Sequence, residues 1–117
     1  MHIGDPVHGE VISANASGAG VAVILYTSGT ATVRTLAANE YLTITDVILI
    51  STAGGVYDLI FGTAAGAGKH IVKGIADAKG GLAHHFETPQ TGPIGVNALL
   101  IADAGQVDLC VTGYITK

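Results

Sequence analysis

The stretch Gly66-Ala67-Gly68-Lys69-His70 comes closest to a ligand-binding motif in this 117-residue chain. A P-loop needs a glycine five residues before the Gly-Lys pair and a Ser or Thr after it, so that amides cradle phosphate and a hydroxyl holds magnesium. Here Thr63 takes the first glycine's place and His70 the hydroxyl's. The stretch therefore reads as a glycine-rich loop with no phosphate to hold, and Gly62 to Gly68, too rich in glycine for a stable helix, as flexible.

The histidines are His2, His8, His70, His84 and His85. His84 and His85 are adjacent in an expected strand, so they point to opposite faces and do not share one ion. His85 and Glu87 do share a face. A site on a symmetry axis, one histidine from each subunit, is the remaining geometric route to a metal. Otherwise these are surface or interface histidines. Cys110 falls mid-strand with no base to activate it, so it reads as a small packed residue. Most acids fall at turns, where Asp is expected on local grounds. Asp46 and Asp58 fall inside expected strands, and edge or interface polar groups describe them better than a hydrolytic pair. Tyr26, Tyr41, Tyr57 and Tyr114 sit in or at strands, with their rings expected in the core and their hydroxyls at its edge. Asn15-Ala16-Ser17 is a glycosylation sequon, but the first residues show neither the basic nor the apolar region of a secretion signal. No catalytic, cofactor-binding or metal-ligating residue is assigned, and the expected protein is not an enzyme.

What would have to position any of these groups is a set of short strands. Seventeen glycines punctuate runs rich in Val, Ile, Leu, Thr and Tyr. The expected strands cover 7–13, 21–26, 30–36, 41–52, 56–62, 71–76, 82–88, 97–102 and 107–115. The first of these is read as an arm or edge strand, so roughly eight strands build the body, with turn signals every 8 to 12 residues, as in a sandwich or barrel. The expected fold is all-β: a small jelly-roll-like antiparallel sandwich spanning 21–117, preceded by an N-terminal arm or edge strand at 1–20. The arm, with Pro6, Gly9 and the small residues of 13–20, is expected to reach a neighbour and to be removable without loss of the fold. An immunoglobulin-like sandwich would lack its Cys…Trp…Cys core, since the chain has one Cys and no Trp.

Charge is scarce. Asp, Glu, Lys and Arg supply 12% of the residues and hydrophobic types 49%, against about 25% charged in an average soluble domain. The runs Val21-Ala22-Val23-Ile24-Leu25, Val47-Ile48-Leu49-Ile50 and Ala98-Leu99-Leu100-Ile101 are apolar on both strand faces. Two-sided burial in a two-layer domain calls for a third layer, and a second copy is the simplest source. Strict alternation in 41–51 would put Leu42, Ile44, Asp46, Ile48 and Ile50 on one face. In the last strand, Val107, Leu109, Val111 and Ile115 share a face, opposite Asp108, Cys110, Thr112 and Tyr114. The net charge is −4 and the basic residues Arg34, Lys69, Lys73, Lys79 and Lys117 are scattered, which argues against direct nucleic-acid binding. No apolar run reaches the length of a membrane helix. A single free thiol fits a reducing compartment such as a cytoplasm.

Tyr41-Leu42-Thr43-Ile44-Thr45-Asp46-Val47 with its following Gly-rich turn resembles the small jelly-roll decoration (cement) proteins of tailed-bacteriophage capsids. So do Phe86 to Pro93 with Asn97-Ala98-Leu99-Leu100, and the closing Gly105-Gln106-Val107-Asp108-Leu109-Cys110-Val111-Thr112-Gly113-Tyr114. The likeness spans roughly 20–117 and extends to trimeric tumour-necrosis-factor and C1q-like modules. It implies a homotrimer on the outside of the virion, assembled in the host cytoplasm, clamping copies of the major capsid protein, with no cofactor and no active site. The other expectation it carries is a trimeric binding module of a fibre or head fibre, recognising a receptor or a glycan.

Overall fold

A computed structural model describes residues 4–14, 20–51, 55–64, 67–76, 80–102 and 107–117. Their regular structure is all strand: β1 (Asp5–Ala14), β2 (Val21–Ala22), β3 (Ile24–Thr27), β4 (Tyr41–Ser51), β5 (Gly55–Ala64), β6 (Ala67–Ala76), β7 (Gly80–Thr91), β8 (Ala98–Ala102) and β9 (Val107–Thr116). Two antiparallel sheets form a sandwich, one ordered β3-β1-β9-β4-β7 and the other β2-β8-β5-β6. The pairing is nested. β1 pairs with β9, β2 with β8, β4 with β7 and β5 with β6, so early strands meet late ones in reverse order.

Alternation explains why these segments pair as they do. In β9, Val107, Leu109, Val111 and Ile115 are buried while Asp108, Cys110 and Thr112 are exposed. Their partners in the core include Val7, Val11, Leu42, Ile44, Val47 and Leu49 from the same sheet and Leu59, Phe61, Ala98 and Leu100 from the other. Burying a side chain of this size contributes about 1.5–3 kcal/mol.

Four expectations need correction. First, residues 5–14 are not a detachable arm or an edge. β1 lies between β3 and β9, and Val7 and Val11 are core residues. Gly9 faces the core so closely that a Cβ there would lie 2.6 Å from Val23, 2.8 Å from Val111 and 2.9 Å from Leu25. Second, β4 does not alternate strictly. Its pairing with both neighbours shifts between Ile44 and Asp46, a bulge at Thr45 that moves every later side chain to the other face. The core face is therefore Leu42, Ile44, Val47 and Leu49, and Asp46, Ile48 and Ile50 face outward. Third, residues 30–36 form no strand beyond one bridge from Val33 to Tyr26. Fourth, 62–64 and 67–70 belong to the β5–β6 hairpin and not to a loop. In addition, β7 runs on through Pro89 to Thr91, which an edge strand tolerates because no ladder donor is needed there. The Asn15 sequon, His2 and the turns expected at 53–54, 65–66, 77–79 and 103–106 lie outside the described residues.

The apolar second strand face is bare in only part of the chain. In β8, Ala98, Leu99 and Leu100 are all buried within this one subunit, Leu99 on the face away from the core, where Gly20 and Ile60 lie close to it. In β3 and β4 the second face stays open: Ile24, Ile48 and Ile50 are exposed.

The long β3–β4 connection is held by one ion-pair cluster. Glu40 is buried, and its carboxylate accepts two bonds from Arg34, at 2.6 and 3.1 Å, and one from the Ala37 amide at 2.8 Å. Arg34 also reaches Asp5 at 3.3 Å, tying the connection to the start of β1. The bidentate Arg34 guanidinium, then the Ala37 amide, hold the Glu40 carboxyl down at about 2, well below its ordinary 4.5.

Three outcomes follow for stability. Glu40 binds its proton more weakly folded than unfolded, so its contribution is complete above pH 4.5 and is lost as pH falls toward 2. Glu40→Gln should flatten the acid limb of a stability-against-pH curve in that window. Gly9→Ala should cost about 1–3 kcal/mol in denaturant unfolding through overpacking. Val111→Asp buries an unpaired charge in the core and should abolish cooperative melting.

Candidate functional site

The feature that distinguishes the surface is the outer face of the five-stranded sheet. The register lines up one residue from every strand: Ile24 of β3, Glu10 of β1, Cys110 of β9, Ile48 of β4 and Ala83 of β7. The next outward row is Tyr26, His8, Thr112, Asp46 and His85. On the other side of the first row, Asp108 sits opposite Ile50. Ile24, Ile48 and Ile50 are 50%, 51% and 53% exposed, and they are three of the six large hydrophobic side chains exposed among the described residues. Covering what remains open on each would contribute roughly 1 kcal/mol.

Two shallow depressions share Glu10. One, of about 320 Å³, lies over Ile48, Ile50, Cys110 and Asp108, and the other, of about 510 Å³, lies over His8, Tyr26, Gly29 and Thr30. The His8 and Tyr26 rings stack at 5.3 Å with 18° between their planes. The face carries the carboxylates of Glu10, Asp46 and Asp108, and among the described residues no lysine or arginine lies in these rows.

The bulge shapes the polar end of the face. It turns Asp46 outward, where Oδ1 accepts from His85 Nδ1 at 2.6 Å, and Oδ2 accepts from the Thr45 hydroxyl at 2.8 Å. The same hydroxyl lies 3.1 Å from the Thr112 carbonyl. The bond from His85, then that from Thr45, holds the Asp46 carboxyl below the ordinary aspartate range.

The candidates for chemistry are dispersed. Asp46 and Asp58 sit on the outer faces of different sheets, so the sandwich separates them. Asp58 meets His70 instead, at 2.8 Å. Gly68-Lys69-His70 lies in a strand, where a P-loop needs a turn opening a helix. Gly68 has φ 127°, and a Cβ there would run into the Phe61 carbonyl, so this glycine serves the hairpin. Lys69 Nζ donates to the Thr91 carbonyl at 3.0 Å, closing the edge of the sandwich. His84 and His85 do face opposite ways, with His84 edge-on to Phe86 at 4.6 Å. No group of three potential metal ligands occurs among the described residues. Tyr57 is buried, whereas Tyr26, Tyr41 and Tyr114 are half-buried.

Cys110 corrects an expectation: it is exposed, in the middle of the isoleucine row. Its face was legible from alternation, but the bareness of that face was not. The place of Glu10 and His8 on this face does not follow from the reading of 7–13 as an arm or edge strand. The alternation Val7, Gly9, Val11 against His8, Glu10 was the available signal.

No family model matches the chain, and no curated protein or solved structure is similar to it at a significant level. No helix among the described residues is long and apolar enough to cross a membrane.

Proposed function

We propose that this chain is a structural protein that works by assembling with copies of itself, and specifically a decoration protein on the exterior of a bacteriophage capsid, without catalytic activity of its own. The observation that carries the reading is the row Ile24, Glu10, Cys110, Ile48 and Ala83, apolar at four of its five positions. A small subunit with 12% charged residues has little reason to leave such a row to water unless a partner covers it.

Jelly-roll topology is part of the same proposal. The nested pairing of β1 with β9, β2 with β8, β4 with β7 and β5 with β6 supports it, since one long hairpin rolled onto itself gives that order. The homotrimer and the major capsid protein as partner rest on the resemblance of 41–47 and 105–114 to cement proteins. In that role the subunit would bridge neighbouring shell subunits and resist internal pressure through contact area alone. Imaging of purified particles should place the chain on the outer shell, and particles stripped of it should burst at lower stress. Particles that never carry it would refute the viral assignment.

The second reading, a trimeric module recognising a receptor or glycan, has the stacked His8 and Tyr26 beside Glu10 in its favour. A glycan-array signal lost on Tyr26→Ala would select it.

Assembly itself is tested more simply. Ile48→Asp with Ile50→Asp should give a folded subunit of unchanged melting cooperativity that sediments as a monomer, whereas the parent chain sediments as an oligomer. A parent chain that is already a soluble monomer at micromolar concentration defeats the proposal.

A further inference from the structure

We infer that the depression over His8 and Tyr26 receives a basic side chain, a lysine or arginine, from a protein other than this chain, with Glu10 as its counter-ion. The inference takes from the proposed function only that the chain docks on another protein, and it names the chemistry of that contact.

Glu10 is set apart by its surroundings. Among the described acidic side chains, Asp5 and Glu40 are held by Arg34, Asp46 by His85 and Asp58 by His70, and Asp108 has an interaction of its own. Glu87 is exposed to water. Glu10 is part-buried, and among the described residues no hydrogen bond or ion pair engages its carboxylate. A carboxylate drawn partly out of water with no donor beside it is costly, and a cationic donor offsets that cost best.

The depression suits such a group. It holds about 510 Å³ and is lined by His8, Glu10, Tyr26, Gly29, Thr30 and Ala31, none of them a lysine or arginine. The stacked His8 and Tyr26 rings offer the stem of a lysine or arginine an apolar surface, while its charged head reaches the carboxylate.

The chain itself is a poor source of the cation. It has five basic residues against nine acidic ones. Arg34 is committed to Glu40 and Asp5, Lys69 donates to the Thr91 carbonyl, and Lys73 lies across the strand pair from Asp58. With a net charge of −4, the chain attracts basic surfaces of other proteins more than it attracts its own copies.

An NMR titration of the full chain tests this. The probe is a blocked peptide, acetyl-Gly-Lys-Gly-amide, with the norleucine peptide as its uncharged match. The lysine peptide should bind with about millimolar strength and shift the His8, Glu10 and Tyr26 signals, and the norleucine peptide should not. Glu10→Gln should weaken binding about tenfold with its melting curve unchanged, and Glu87→Gln should leave binding as it is. Equal binding of the two peptides, or full affinity in Glu10→Gln, overturns the inference. Shifts of the same signals on concentrating the chain without peptide also overturn it, by placing a second copy in the depression. A neutral oligosaccharide that moves these signals when the lysine peptide does not overturns it too, and leaves glycan recognition standing. Self-assembly is read separately by sedimentation, so a monomeric chain that binds the lysine peptide defeats the assembly reading and not this one.

Discussion

A two-layer sandwich buries one face of each strand, and β4 carries large aliphatic side chains on both. Val47 and Leu49 fill the core beneath β4, and Ile48 and Ile50 stand half exposed above it. β4 is interior to its sheet, flanked by β9 and β7, so apart from the bulge at Thr45 its residues from Thr43 to Ser51 have ladder partners on either side. Nothing about strand pairing therefore requires isoleucine outside, and a threonine or lysine would satisfy the pleat as well. The excess of apolar surface is a property of the side chains alone. Among the described residues nothing answers it, in contrast to β8, whose Leu99 is covered by the chain itself.

The bulge at Thr45 is what distributes those side chains. Without the bulge, a regular pleat through Thr45 would put Leu42 and Ile44 on the same face as Ile48 and Ile50, and the core beneath the second half of β4 would receive the wrong set. With it, Leu42, Ile44, Val47 and Leu49 all point inward. The Thr45 hydroxyl donates to the Asp46 carboxylate and lies 3.1 Å from the Thr112 carbonyl, so the irregularity leaves this polar side chain satisfied. Core continuity, the outward turn of Asp46 toward His85, and the apolar outer row all follow from one inserted residue.

This also explains what could be read in advance. β9 was legible residue by residue because its alternation is unbroken from Val107 to Val111. β4 was legible as a strand but not in its faces, since a bulge leaves no mark in a period-two pattern that stays apolar throughout. Pro6 and Gly9 point to a loose arm in the sequence, yet β1 is an inner strand of its sheet. Gly9 is instead a packing residue, forced by the approach of Val23 and Val111. The pairs His85 with Asp46 and His70 with Asp58 lie 39 and 12 residues apart in sequence. Both depend on cross-strand register, which no local pattern encodes.

The treatment of the sheet edges makes the bare face more informative. An unprotected edge strand recruits other strands, and proteins blunt it with charge, proline, irregularity or brevity. All four devices are present here. β6 carries Lys69 and Lys73, β7 carries Pro89 and loses regular pairing between Gln90 and His85, β3 has four residues and β2 only two. With five basic residues in the whole chain, placing two on a single edge is a large share of the available charge. Strand addition, which continues without limit, is thus obstructed wherever the backbone would permit it. Side-chain association over the outer face, which ends when the face is covered, is left unobstructed. The strand edges are thus guarded against open-ended pairing, while Ile24, Ile48 and Ile50 stay exposed on the outer face.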